Sequence, residues 1–131
     1  MLAPLVSVIV RTRDRPALLR EALASLRRQT FRDFETLVVA DGGTAPAESV
    51  LGTTPGEGGL ALLHRSPPHG RARALNAGLD AARGRFIAYL DDDDLFLPHH
   101  LDTLARFLAG SDSYRVAYTD VEQVEQTLGA D

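Results

Sequence analysis

The chain has 131 residues, of which 44% are hydrophobic and 24% charged, a composition typical of a single globular domain. Its formal net charge of -4 argues against a nucleic-acid-binding module, since such a module normally presents a basic face. The absence of cysteine excludes disulfides and thiolate metal sites and is typical of a reducing compartment, and no signal peptide or membrane-spanning run is predicted.

Strand and helix patterns alternate along the first half of the chain. Residues 5–10 are apolar and largely β-branched, which favours a buried strand, and Pro16 then opens a helix that we expect to end near Thr30. A second buried strand over 34–40 ends in the turn pattern Asp41-Gly42-Gly43. A short helix over 45–51 and a loop over 52–59 follow.

The second half continues this alternation. We predict a strand over 60–64, a helix over 71–83 and a strand over 86–90 that is covered on both faces. Pro98 opens a further helix to Ala109, and a last strand is predicted over 114–118. Several apolar residues of the two helices are expected to face inward: Ala74, Leu75, Gly78, Leu79 and Ala82, then Leu101, Leu104, Phe107 and Leu108.

This order of elements predicts an α/β domain with a mostly parallel central sheet. Polar clusters at 12–15, 41–43 and 91–94 follow three of the strands, so they converge on one edge of that sheet. Open α/β sheets bind ligands at this edge. The phosphate-binding patterns GxGxxG and GxxxxGK[ST] are absent from the sequence, so a nucleotide would be held by other groups.

Four consecutive carboxylates, Asp91 to Asp94, end the strand over 86–90. Like charges at one strand end repel each other unless a cation neutralises them, and carboxylate oxygens suit Mg²⁺ or Mn²⁺. An extended backbone would place Asp91 and Asp93 on one side and Asp92 and Asp94 on the other. The alternative is a solvated acidic turn that caps the next helix, but the position after a buried strand favours a ligand site.

Other polar residues near this edge have two possible roles. Asp41 is predicted to be an exposed acid that accepts hydrogen bonds from a nucleobase or ribose, so its removal should leave the fold intact; the alternative is an ordinary turn residue. The arginines at 11, 13 and 15 are either a solvated rim or diphosphate ligands. The histidines are predicted to be surface or partly packed residues rather than metal ligands: His64, His69, His99 and His100.

From Val6 to about Asp120, the sequence resembles the N-terminal half of a family 2 glycosyltransferase with the GT-A fold. The segments that carry the likeness are Val6-Ser7-Val8-Ile9-Val10-Arg11-Thr12-Arg13-Asp14-Arg15, Gln29-Thr30-Phe31, Phe34-Glu35, Val38 to Gly43, Ala74 to Leu79, Ala82-Arg83-Gly84 and Tyr89 to Asp94 with Pro98. The resemblance implies a three-layer α/β/α, Rossmann-like fold, with a nucleotide-diphospho-sugar-binding domain over 1–120 and a polar tail over 121–131. It also implies that an acceptor-binding half lies beyond Asp131, so that the chain is expected to be truncated.

The resemblance assigns roles to individual residues. Leu75 occupies a place where the family often has a nucleotide-binding arginine, so Arg71 or Arg73 is expected to substitute. Ala40 stands where the family usually has the first of two acids, and Asp41 keeps the second. The implied nucleotide- and donor-binding residues are Thr12, Asp14, Asp41, Arg71, Arg73, Asp91 and Asp92, and the implied metal ligands of the D-x-D pattern are Asp93 and Asp91.

A family 2 enzyme would use Mn²⁺ or Mg²⁺ and a UDP-, GDP- or dTDP-sugar, and would transfer the sugar with inversion to a hydroxyl of a saccharide or lipid-linked acceptor. Its catalytic base is expected beyond Asp131, and a C-terminal region or an oligomer would cover the remaining apolar surface. Polysaccharide synthesis for the cell envelope is the implied process, in the cytoplasm or at the membrane periphery, and no nucleic-acid partner is expected.

Three other functions remain open. A non-catalytic nucleotide-binding module would fit the same edge of the sheet. A nucleotidyltransferase usually has a glycine-rich phosphate loop after the first strand, which residues 11–15 lack, and a phospho-acceptor regulatory domain would need a lysine, which the chain does not contain.

Overall fold

The computed structural model describes residues 2–43 and 47–125, and all elements below lie in these ranges. In chain order they are β1 (Val6–Thr12), α1 (Pro16–Arg27), β2 (Phe34–Asp41), a short 3₁₀ helix (Ala47–Val50), β3 (Leu60–Arg65), α2 (Arg71–Ala81), β4 (Phe86–Asp91) and α3 (His100–Ala109). The strands form one parallel sheet in the order β3-β2-β1-β4. The predicted α/β architecture is confirmed.

Helices cover both faces of the sheet. Val8 and Val10 of β1 belong to a buried cluster with apolar residues of α1 and α3, whereas Ile9 belongs to a second cluster with Ala74 of α2. This division follows from the alternation of side chains along a strand. The molecule is therefore a three-layer α/β/α structure, as predicted.

Glycine allows α2 to approach the sheet closely. A Cβ placed on Gly78 would lie 2.6 Å from Cγ2 of Ile9, so a side chain at this position would press on the core. The helix ends at Ala81 rather than at the predicted Arg83. The N–H of Arg83 donates to Glu35 and the N–H of Gly84 donates to the hydroxyl of Ser7, so the chain has left the helix before it enters β4.

The ends of the other helices also differ from the predictions. α1 ends at Arg27, not near Thr30. α3 begins at His100 rather than at Pro98, because residues 97–100 form a turn in which the N–H of His100 donates to the carbonyl of Leu97. Among the residues predicted to face inward, Leu79 and Phe107 are instead exposed.

The prediction that β4 is covered on both faces holds only in part: Phe86 and Ala88 pack against the first cluster and Ile87 against the second, but all three are only partly buried. Within the described ranges β4 pairs with β1 alone and is an edge strand. Of its residues, Leu90 is buried while Tyr89 is 52% exposed. An apolar run of this length has the same appearance whether its strand is central or at an edge, because the sequence does not show which strands flank it.

The predicted last strand over 114–118 is wrong. These residues form no strand, and Tyr114, Val116 and Tyr118 are exposed. β-branched and aromatic residues favour a strand only where a neighbouring strand accepts their backbone hydrogen bonds, and the described part of the chain offers none here. The predicted tail is described only as far as residue 125, and part of the predicted helix over 45–51 also lies outside the described residues. No helix in the described ranges is long and apolar enough to cross a membrane.

Candidate functional site

Hydrogen bonds and close contacts bring the three polar clusters together at the carboxyl ends of the strands. The hydroxyl of Thr12, which ends β1, donates to Oδ2 of Asp92 at 3.0 Å, which joins the loops after β1 and β4. Asp14 lies against the loop after β2, since a Cβ placed on Gly43 would be 2.5 Å from Oδ1 of Asp14. The predicted convergence on one sheet edge is therefore present in the structure.

Residues 91–94 form a tight turn in which the N–H of Asp94 donates to the carbonyl of Asp91 at 3.1 Å. Asp91, Asp93 and Asp94 offer carboxylate oxygens that all lie within 4.8 Å of one another. Asp92 points away from this group and is buried against Thr12. The predicted alternation is wrong for Asp94, because the backbone is no longer extended after Asp91.

The electrostatics of this acidic turn favour a cation. Burial, together with the neighbouring charges of Asp93 and Asp91, raises the pKa of Asp94. Burial also raises the pKa of Asp92, although the hydrogen bond from Thr12 and the charge of Arg15 oppose this effect. Three clustered carboxylates with hard oxygen ligands fit Mg²⁺ or Mn²⁺, and a divalent ion would relieve their mutual repulsion.

Two arginines already approach these acids. Arg71, at the start of α2, donates from Nη2 to both carboxylate oxygens of Asp91, at 2.9 and 2.8 Å. Nη2 of Arg15 lies 2.8 Å from Oδ1 of Asp92, as an ion pair without hydrogen-bond geometry, and Nη1 lies 3.5 Å from Oδ2 of Asp93. The acidic turn is thus flanked by guanidinium groups, which are suitable partners for phosphate oxygens.

Asp41 is not the exposed acid that the sequence suggested. It is fully buried, and its carboxylate accepts hydrogen bonds from the N–H groups of His69 (2.9 Å) and Gly70 (3.1 Å), with Arg11 3.5 Å away. Burial raises its pKa, but the backbone donors and Arg11 outweigh this and hold the pKa below the ordinary value. Removal of this buried carboxylate would take away the partner of the N–H groups of His69 and Gly70 that hold their loop, so an unchanged fold is no longer expected for Asp41→Ala.

Of the other residues predicted to bind the nucleotide, Thr12 and Asp14 line a small pocket, whereas Arg73 lies outside it. Residues 12–16 line a cavity of about 10 Å³ together with Ala40, Gly42 and Ala47. Arg73, by contrast, is exposed on α2, and its side chain makes no hydrogen bond or ion pair within the described ranges. The roles predicted for Thr12, Asp14 and Arg73 stay predictions.

Residues 7–126 match the family model described as glycosyl transferase family 2. The chain belongs to this family. ExoW, a succinoglycan biosynthesis protein of Rhizobium meliloti, is 34% identical over 95% of this chain and 44% of its own length. A PGL/p-HBAD biosynthesis glycosyltransferase of Mycobacterium bovis is 35% identical over 92% of this chain and 48% of its own length. The chain spans less than half the length of these curated relatives.

Solved structures of other proteins have the same fold. TarS 1–349 of S. aureus superposes with a TM-score of 0.72 at 27% identity, over 80% of this chain and 32% of its own. The mannosyltransferase PcManGT of Pyrobaculum calidifontis, solved with GDP-Man and Mn²⁺, gives 0.65 at 29% identity, over 73% of this chain and 29% of its own. These likenesses confirm the GT-A-like fold and the family that the sequence segments predicted.

The family 2 domain also contains site features that the sequence analysis missed. Asp94 joins the acidic group, and a cavity of about 410 Å³ lies beside it, lined by residues of α1, the acidic turn and the segment 119–124. Asp120 lines this cavity together with Asp93 and Asp94. The clustering of Asp94 was not readable from the sequence, because it depends on a turn between the acids rather than on strand periodicity.

Proposed function

We propose that this family 2 domain binds the donor of an inverting glycosyltransferase, with a nucleoside-diphosphate sugar and a divalent metal ion as its ligands. The observation that carries the proposal is the group of carboxylates of Asp91, Asp93 and Asp94 at the carboxyl end of β4. This position is where open α/β sheets bind nucleotides. The presence of Mn²⁺ with GDP-Man in PcManGT supports the choice of ligands.

The carboxylates of Asp93 and Asp91 would hold Mn²⁺ or Mg²⁺, with Asp94 as a third oxygen donor. When bound, the ion supplies positive charge that stabilises a departing nucleoside diphosphate. Arg71 would assist from the protein side, because its guanidinium is already beside Asp91 and can donate hydrogen bonds to a phosphate oxygen instead. Arg15 has the same chemistry and lies beside Asp92 and Asp93.

The nucleoside would lie over the loops after β1 and β2. Thr12 and Asp14 border the small pocket there, and Asp92 is held next to Thr12 near the expected position of the ribose or donor sugar. Asp41 would contribute to the base site, directly or through the loop at residues 69–70 that it fixes. With these assignments the nucleoside and the diphosphate would lie at the carboxyl ends of strands that neighbour each other in the sheet.

Inverting transfer would further require a base that takes the proton of the acceptor hydroxyl as the hydroxyl attacks the sugar carbon. The acceptor that we propose is a saccharide or a lipid-linked saccharide, in line with the succinoglycan and PGL/p-HBAD assignments of the relatives. The candidate donors are UDP-, GDP- and dTDP-sugars.

The test is thermal unfolding of the chain with UDP or GDP, in the presence and absence of Mn²⁺. We expect the nucleotide to raise the Tm only with the metal, by an amount that corresponds to about 2.7 kcal/mol at a ligand concentration of about 100 times Kd. Asp93→Asn should remove this effect, whereas Asp112→Asn, an exposed acid outside the acidic turn, should retain it. Equal stabilisation without metal would contradict the assigned metal site, and a preference for NAD over nucleoside diphosphates would contradict the donor class.

A further inference from the structure

Gln29, just after α1, has a side chain whose polar atoms all bind backbone groups of a distant segment or of its own helix. It is 3% exposed. Its Nε2 donates to the carbonyl of Leu97 at 2.7 Å, and its Oε1 accepts from the N–H of Leu101 at 3.1 Å. One side chain thus fixes both the loop before α3 and the first turn of α3.

Two neighbouring residues hold the same segment. The hydroxyl of Ser25 accepts a hydrogen bond from the N–H of Phe96 at 3.2 Å, and the N–H of Thr30 donates to the carbonyl of Pro98 at 2.9 Å. Residues 96–101 are therefore attached to the end of α1 at successive points. None of these contacts involves an acid of the turn at 91–94.

The acidic turn is consequently fixed at its two ends by different parts of the chain. At its first end, Asp91 is the last residue of β4, and Asp92 accepts a hydrogen bond from Thr12. Asp94 leads directly into residues 95–99, which form neither helix nor strand, so its position depends on how that segment is held. A cation site needs its oxygen ligands at defined separations, and a loop without such attachment would not provide them.

We infer that Gln29 is a positioning residue for the metal site: by holding residues 96–101 it sets where Asp94 and Asp93 lie relative to Asp91. This inference rests on the proposed function, because it presumes that the three carboxylates bind a divalent ion. Groups that hydrogen-bond directly to metal ligands typically change metal affinity by about 10- to 100-fold when they are removed, and Gln29, which acts through residues 96–101, is expected at the lower end of that range. We expect Gln29→Ala to weaken Mn²⁺ binding by about tenfold.

Arg27 provides a matched control. It is the last residue of α1, two positions before Gln29, and its guanidinium donates to the backbone carbonyls of Leu51 (2.6 Å) and Thr53 (2.9 Å). This loop lies between the 3₁₀ helix and β3, the edge strand opposite β4. Arg27→Ala should lower the Tm, as Gln29→Ala does, and leave Mn²⁺ affinity within about twofold of the unaltered chain.

The experiment is titration of Mn²⁺ into the 131-residue chain and its variants, followed by the loss of the free-ion electron paramagnetic resonance signal, with the Tm measured in parallel. Weakened binding in Gln29→Ala but not in Arg27→Ala supports the inference. Unchanged affinity in Gln29→Ala, or an equal loss in both variants, overturns it. Absence of Mn²⁺ binding to the unaltered chain would instead overturn the proposed function, and this inference with it.

Should Gln29→Ala fail to unfold cooperatively, Ser25→Ala carries the test. This substitution removes one acceptor for the N–H of Phe96 and keeps a good helix former in α1. It should weaken Mn²⁺ binding in the same direction, by a few fold. An affinity equal to that of the unaltered chain would count against the positioning role.

Discussion

Glu35 is the centre of a polar network at the end of the sheet opposite to the candidate site. Its Oε1 accepts from the hydroxyl of Ser7 (2.6 Å) and the N–H of Arg83 (2.8 Å), and its Oε2 accepts from the guanidinium of Arg83. The hydroxyl of Ser7 in turn accepts from the N–H of Gly84. This network holds the connection from α2 to β4. It therefore fixes the position at which β4, the strand that carries the acids, begins.

We predict that Glu35→Gln lowers the free energy of unfolding at neutral pH by about 1–3 kcal/mol, the usual cost of disrupting buried hydrogen bonds to a charged group. Burial alone would favour the neutral acid, but the hydrogen bonds from Ser7 and Arg83 outweigh it and lower the pKa of Glu35. The carboxylate therefore stabilises the fold above its ordinary pKa, and this contribution is lost as the pH falls through the lowered pKa.

Urea unfolding at neutral pH and at about pH 3 measures this effect. The difference between the unaltered chain and Glu35→Gln should shrink at the lower pH, whereas Glu57→Gln, at an exposed position, should cost little at either pH. If the difference in unfolding free energy between the two chains does not change with pH, the network stabilises the fold through packing and neutral hydrogen bonds and not through the charge of Glu35.

At the scale of elements, the packing of α2 on the sheet depends on the absence of a side chain at Gly78. Alanine is favoured over glycine in a helix by about 1 kcal/mol, yet overpacking a core usually costs about 1–3 kcal/mol. Because the added methyl would lie 2.6 Å from Ile9, we predict that Gly78→Ala destabilises the chain by about 1 kcal/mol overall.

Chemical denaturation measures the free energy of unfolding of Gly78→Ala. The control is Asn76→Ala, because Asn76 is exposed on the same helix. The control should be neutral or slightly stabilising, in keeping with helix propensity alone. A stabilising Gly78→Ala would mean that α2 lies farther from β1 than the structure has it.

The elements also show what can be read from this sequence. The strands over 6–12 and 34–41 were predictable because their apolar runs are buried on both faces and are bounded by turn residues. Residues 114–118 have a similar composition and form no strand, since a strand also needs a partner. At the site, the sequence predicted which loops meet, but it did not predict that Asp94 turns toward Asp91 or that Asp41 is buried, because both depend on contacts with loops far away in the chain.

At the scale of the whole molecule, donor binding and sugar transfer place different demands on the chain. The acids for the donor lie on a turn fixed by β4 and Thr12. Asp120 lines the cavity beside them, but it lies on the segment 111–125, which forms no helix or strand and is largely exposed. A catalytic base must be held in a defined position, and an exposed segment of this kind does not hold one.

We therefore predict that the 131-residue chain binds a nucleotide sugar with Mn²⁺ but does not transfer the sugar efficiently. The measurement is transfer to a panel of saccharide acceptors, with hydrolysis of the donor followed in the same samples. Robust metal-dependent transfer that Asp120→Asn abolishes would contradict the prediction and assign the base to Asp120. Efficient transfer that this substitution does not affect would also contradict the prediction, and would indicate that the base is another residue.

The strand order β3-β2-β1-β4 has a consequence for how the molecule folds. β2 and β3 add to one edge of β1, and the chain then returns to the other edge with β4, so contacts across the site join residues as far apart as Thr12 and Asp92, 80 positions along the chain. Contacts between β1 and β2 span only 28 positions, as for Ser7 and Glu35, so closing the longer loop costs about 1 kcal/mol more entropy. We expect β4 to dock after the other strands have paired, so that during synthesis the nucleotide half of the site forms first and the acidic turn completes it.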